Sequence, residues 1–298
     1  GLNKLNISKK AFEHYRFGEI YSIIKGRDNK IWINTKNGLK KLDSQTRQII
    51  QSPVSFNYSY LFYEDTKGNL WFEKPDGGLV KQDKLGRITK FYASTGQEFK
   101  YSVVLIYETS DRNIWIGTSA NGFFSLDLTT QKINRIKIPD AFINCIYEDA
   151  YGLLWIGTFN KGLYSYNRKI DSIKSYIYDP NDNTSIGGQI ILDACEDKNG
   201  ILWFGTNGGI NKYDRSTGKF IRLTNKDGLP RIFSYTILED NSGKFWFNSH
   251  EGISKFDPKT NSIQNYNSSD GLPENGFWER LGVQSDDGRI YFSTTDEL

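Results

Sequence analysis

The chain has 298 residues, of which 37% are hydrophobic and 15% aromatic, with 28 glycines and no methionine, a composition that excludes disorder and collagen-like order. Its 38 Lys and Arg against 35 Asp and Glu leave a net charge of +3 without blocks of one sign, which excludes the basic field that nucleic-acid binding relies on. No stretch approaches the ~20 apolar residues of a membrane span, and Cys145 and Cys195 define neither a disulfide framework nor a metal site.

Read from the start, the chain opens on Gly1 with neither Met nor a signal-like stretch, so it reads as a processed chain or a piece of a longer one. Its first six residues, GLNKLN, align with GLKKLD at 38–43. Trp32, Trp71, Trp115, Trp155, Trp203 and Trp246 then fall at spacings of 39, 44, 40, 48 and 43, and Tyr291 follows after 45. Units of about 43 residues lie in the range of four-stranded propeller blades. The expectation is an all-β chain forming one seven-bladed β-propeller of four-stranded antiparallel blades over residues 1–298, centred on those seven aromatics.

Within a unit, Ile143, Cys145 and Tyr147 alternate as a first strand, and a turn through Glu148 and Asp149 follows. Glycine stands three positions before the aromatic at Gly68, Gly152, Gly200, Gly243 and Gly288, where a hairpin demands positive φ. Arg112 takes that place in the third unit, which predicts a distorted turn or one of another type. The second strand, Leu153-Leu154-Trp155-Ile156, is apolar throughout, as a strand stacked between neighbours on both faces should be. The third strand ends on Asp or Asn (Asp43, Asp83, Asp127, Asn167, Asp214, Asp257), side chains that bond turn amides. Lys and Arg on the fourth strand discourage edge pairing with another molecule. At the end of the chain, Gly288 to Ser293 aligns with a second strand. The N-terminal strands are therefore expected to complete the last blade and close the ring.

The phrase E-D-x-x-G-x-[LI]-W-[IF]-G-T-x-x-x-G-[LI], carried by Glu148-Asp149, Gly152, Trp155, Gly157-Thr158 and Gly162-Leu163 and again by Glu196-Asp197, Gly200, Trp203 and Gly205-Thr206, resembles the two-component regulator propeller repeat. Connectors such as DPNDNTSI at 179–186 and DGLP at 227–230 agree. The resemblance implies the periplasmic sensor region of a Bacteroidetes-type hybrid two-component system, the extracytoplasmic part of an inner-membrane protein. It implies recognition of polysaccharide-derived oligosaccharides, and a second propeller and an immunoglobulin-like domain as partners within the same protein. The segment DGLPENGF at 270–277 followed by GRIYF at 288–292 resembles the final repeat before the immunoglobulin-like domain, which makes this the membrane-proximal propeller. A homodimer is allowed for; nucleic acid, direct membrane insertion and a cofactor are not expected.

Positions that vary among otherwise equivalent units are free for function. One ring lies four residues past the aromatic (Lys36, Pro75, Ser119, Phe159, Asn207, His250, Thr295), and another thirteen before it (Glu19, Tyr58, Ser102, Phe142, Ile190, Phe233, Trp278). Both are expected on one face. Aromatic faces stack on sugar C–H surfaces, so Tyr58, Phe142, Phe233, Trp278 and Phe159, with His250, form the candidate ligand site. Lys36, Arg231 and Arg280 are placed to take an acidic sugar. The competing reading has the same aromatics capping inner strands or meeting a neighbouring propeller. Catalysis lacks a constellation: only His14 and His250 exist, no serine sits in a nucleophile motif, and the recurrent carboxylates read as turn parts. The alternatives carried forward are an interaction or dimerisation scaffold and a streptogramin-lyase-like enzyme using His250 as base.

Overall fold

A computed structural model describes residues 12–27, 30–52, 61–74, 76–93, 95–139, 141–230, 236–274, 277, 282–294 and 298. In the fourth repeat, Ile143–Glu148, Leu154–Thr158, Leu163–Asn167 and Ser172–Tyr176 pair in sequence order as an antiparallel sheet. The turn between its first two strands shows how the sequence folds it. Asp149 Oδ1 accepts the backbone N–H groups of Tyr151 and Leu153 at 3.0 and 2.9 Å, while Oδ2 accepts the indole N–H of Trp155 at 2.9 Å. Gly152, at φ 77°, donates back to the Asp149 carbonyl at 2.8 Å. One carboxylate thus satisfies the turn and pins the core aromatic, and Asp65, Asp197 and Asp240 repeat the indole bond.

The third repeat corrects the expectation drawn from Arg112. Arg112 adopts φ 69° and donates to the Thr109 carbonyl at 2.8 Å, so its turn matches those built on glycine. Strand pairing on both sides holds the arginine in a left-handed conformation that costs about 1–2 kcal/mol.

Six sheets of four or more strands stand among the described residues, the first built from Ile20–Lys25, Lys30–Thr35, Gly38–Asp43 and Ile49–Gln51. The next five begin at Phe62–Glu64, Val103–Glu108, Ile143–Glu148, Ile191–Glu196 and Ile237–Glu239. The third gains a fifth strand, Tyr92–Ala93, running parallel beside Lys132–Arg135. Helical structure among these residues amounts to two 3-10 turns, Asn225–Asp227 and Ser268–Asp270.

The unit of Tyr291 departs from the expected seven full blades: among the described residues it is a two-stranded sheet, Gly282–Gln284 with Ile290–Phe292. Of residues 1–16, expected to supply its outer strands, the first eleven lie outside the described residues. Its first strand runs beside Ile20–Lys25, and Phe17, Ile23, Ile33, Val283, Tyr291 and Leu298 share one core cluster. Tyr15 and Leu298 exchange backbone hydrogen bonds at 2.9 Å each way, so the two ends of the ring meet.

The recurrent tryptophans face the following blade. Trp155 lies 5.3 Å from Phe204, and Trp203 lies 4.7 Å from Phe245, between ring centroids. Trp32, Trp71, Trp115, Trp155 and Trp203 are buried as expected, whereas Trp246, which faces the two-stranded unit, is only half-buried.

Candidate functional site

Among the described residues, members of the two variable rings meet in four blades. The backbone N–H of Ser119 donates to the Ser102 carbonyl at 3.0 Å, Phe159 to Phe142 at 3.0 Å, Asn207 to Ile190 at 3.1 Å and Lys36 to Glu19 at 2.9 Å. In four blades, then, the loop after the second strand is tied to the approach to the first. Each tie follows from an irregularity at the top of the first strand: the register slips between Ile20 and Ser22, Val103 and Leu105, Ile143 and Cys145, and Ile191 and Asp193. A bulge of this kind re-aims the side chains beside it.

The fourth blade presents the clearest apolar element of this face. The Phe142 and Phe159 rings stand 6.3 Å apart and tilted by 55°, and Phe159 is 46% exposed. Asn207, on the next blade, spends its side chain on the backbone N–H of Ile190 at 3.2 Å. Lys36 lies 3.3 Å from Glu19, so its ammonium already faces a carboxylate. His250 and Glu251 are exposed in the sixth blade. Tyr58, Phe233, Trp278, Arg231 and Arg280 lie outside the described residues, as do Pro75 and Thr295.

A polar cluster on the second blade escaped the sequence reading. Glu73 occupies the place held by Gly117, Gly157 and Gly205 in three later blades. Its Oε1 accepts the backbone N–H of Val103 at 3.0 Å, and burial raises its pKa. Beside it, Lys74 Nζ lies 2.6 Å from Glu98 and 3.6 Å from Asp76. The Lys74–Glu98 hydrogen bond raises the lysine pKa and lowers that of the glutamate. The available signal was the break in the repeat phrase, WFEK in place of WIGT at 71–74.

On the opposite face the recurrent glutamates link consecutive blades. The carboxylates of Glu64, Glu108, Glu148, Glu196 and Glu239 accept the backbone N–H groups of Arg27, Thr66, Ser110, Ala150 and Lys198, each in the preceding turn. Arg215 joins Asp149 and Glu196 at 2.8 Å each, and Arg168 joins Asp111 and Glu148. These acids are committed to holding blades together. Burial pushes the Cys195 thiol pKa well up.

Residues 137–160 and 185–208 match the family model described as the two component regulator propeller. Those two segments, in the fourth and fifth units, carry the two-component regulator propeller repeat. No curated protein matches it. Among solved structures, it is similar to the extracellular domain of a putative hybrid two-component system from B. thetaiotaomicron, at 23% identity and a TM-score of 0.77, covering 94% of this chain and 38% of that one. A streptogramin B lyase shares 18% identity at a TM-score of 0.73, with 96% of each chain covered. PorZ, a surface component of the type-IX secretion system of Porphyromonas gingivalis, shares 15% identity at 0.68, covering 94% of this chain and 46% of its own. At these identities the likeness establishes the propeller fold. The chain spans 38% of the length of the two-component domain it matches.

Proposed function

We propose that this propeller is the ligand-sensing, extracytoplasmic module of a hybrid two-component sensor kinase, recognising polysaccharide-derived oligosaccharides in the periplasm. The observation carrying this reading is the exposed Phe159 beside Phe142 on a face of loop residues that vary from blade to blade. Paired aromatic rings with neighbouring polar groups suit a sugar, whose C–H faces stack while hydroxyls bond side chains. The module is a seven-bladed unit of a longer protein, its last blade completed by N-terminal strands, and relays binding through a neighbouring propeller and an immunoglobulin-like domain to a membrane-spanning kinase. It binds without turning over its ligand.

A thermal-shift screen against defined oligosaccharides, run with and without the neighbouring propeller, tests this. A saturable shift with no product formed supports it; the absence of any shift in both forms overturns it. A second reading, an interaction scaffold, is favoured by apolar turn tips on the opposite face, where Leu85 is 78%, Tyr151 73% and Ile170 71% exposed. That scaffold would capture protein and ignore sugars.

A further inference from the structure

Where the second blade meets the third, at the same end of the blades as Phe142 and Phe159, the connector through Lys100 and Tyr101 is locked to the loop of Gly77 and Gly78. Gly78 donates its backbone N–H to the Tyr101 carbonyl at 3.0 Å. A Cβ on Gly77 would stand 2.6 Å from the Lys100 carbonyl oxygen, so only glycine lets the two backbones approach this closely. Tyr101 is left standing on this wall. It is 42% exposed, yet its ring is seated against two buried ones, 5.2 Å from Phe99 and 5.6 Å from Phe124. An exposed ring held in this way is ordered before a ligand arrives, which lowers the cost of stacking on it.

The residue after Tyr101 leads to a carboxyl. The Ser102 hydroxyl bonds Glu73, whose Oε1 also accepts the Val103 N–H at 3.0 Å. A carboxylate offers about four acceptor positions, enough to hold these donors and take a ligand hydroxyl as well. Glycine serves at this place in three later blades, as Gly117, Gly157 and Gly205, so the fold itself does not require the carboxyl. We infer that Tyr101 and Glu73 form a second sugar seat, which takes an uncharged residue of the same oligosaccharide that Phe142 and Phe159 hold. The C–H face of the sugar lies on Tyr101 while a neighbouring hydroxyl donates to Glu73.

Charge sets the class of sugar. Lys74 and Lys100 lie 2.6 and 3.8 Å from Glu98, and Lys74 also faces Asp76 at 3.6 Å. Both ammoniums are thus already met by carboxylates. An acidic sugar would have to break these pairs and approach Glu73, whereas a neutral one disturbs none of them. The two seats flank the third blade. The backbone bond from Ser119 to Ser102 crosses its top, and a Cβ on Gly117 would stand 2.8 Å from Ile143, the residue after Phe142. An oligosaccharide lying across that blade reaches both seats. This inference rests on the sensing role proposed above and narrows it to neutral chains.

The test is calorimetric titration of the full chain, with and without the neighbouring propeller, against neutral hexasaccharides cut from xylan, mannan and glucan and acidic ones cut from polygalacturonate and heparin. A neutral hexasaccharide is expected to bind. Tyr101→Ala should weaken that binding about tenfold, the worth of one stacked ring, while Tyr101→Phe, which keeps the ring, retains it. Glu73→Gln keeps an acceptor for Val103 but loses the charge, and should weaken binding about fivefold or more. Binding confined to the acidic hexasaccharides, or parent affinity in either Tyr101→Ala or Glu73→Gln, would overturn this seat and leave the sensing role standing. Binding by no hexasaccharide in either form would remove the sensing role, and the seat with it. Should Tyr101→Ala not fold, Glu73→Gln decides.

Discussion

The indole N–H of Trp32 donates to Oε2 of Glu64 at 2.7 Å, so the core aromatic of the first blade is satisfied by a carboxylate of the second. Four other tryptophans use an aspartate of their own turn. The first blade has Gly26 at that position, and a Cβ there would stand 2.8 Å from the Lys30 carbonyl and 2.8 Å from the Trp32 ring. Tight packing of that ring excludes the aspartate, and the neighbour's glutamate reaches in.

Glu64→Ala should therefore lower unfolding free energy by about 1–3 kcal/mol, the cost of leaving a partly buried donor unmet. Glu64→Gln, which keeps an acceptor, should lose less. Gly26→Asp restores the repeat's consensus and should nonetheless destabilise. Urea unfolding of the three variants gives the order, and a stabilised Gly26→Asp would refute the packing argument.

Ion pairs between blades should differ sharply in worth. Arg215 meets Asp149, whose side chain is fully buried, whereas Lys25 and Asp286 pair across the ring closure with 47% and 46% of their side chains exposed. Asp149 keeps three other donors, so Arg215→Ala is expected to cost about 1–3 kcal/mol. Asp286→Ala should cost under about 1 kcal/mol. The closing seam rests on its apolar cluster, and equal losses in the two variants would contradict that.

Acid should unfold the propeller through its turn aspartates. Turn hydrogen bonds hold the carboxyls of Asp43, Asp83, Asp127 and Asp214 below the ordinary aspartate value of 3.8, Asp214 at about 2. A depressed folded-state pKa contributes stability that is present above the unfolded value and lost as pH falls through the folded one. Burial raises Glu73 and Glu239, whose protonation offsets part of this loss. The melting midpoint is expected to hold down to about pH 4 and to fall steeply towards pH 2. A decline centred near neutrality would point to other groups.

On the sensing face, Phe159→Ala should weaken sugar binding about tenfold, or about 1.4 kcal/mol, the worth of one stacked ring. Its exposure predicts an unchanged melting midpoint, within about 1 °C. Calorimetric titration with an oligosaccharide that shifts the parent protein checks both. Unaltered affinity would remove Phe159 from the site.

Much of this was legible before the fold was known, for reasons that can be named. Asp149 and Gly152 build a turn from residues three apart, and the run around Trp155 declares a strand covered on both faces. Arg112 misled, because the turn it occupies is imposed by strands pairing on either side and not by the residue itself. Gly157 was visible as part of a phrase, but its reason lies in packing: a Cβ there would meet Cys145 on the paired strand and come within 2.8 Å of Ile191 in the next blade. Glu148 read as a turn residue and instead accepts the N–H of Ser110 at 2.6 Å.

By itself the sequence determined what depends on near neighbours: the repeat, the order of strands in each blade, the turn carboxylates and the variable positions between them. Only the tertiary structure decided which blade each glutamate serves, that Phe142 and Phe159 meet, and that Tyr15 pairs with Leu298. Those contacts join residues many positions apart, and their partners exist only once the blades are stacked into a ring.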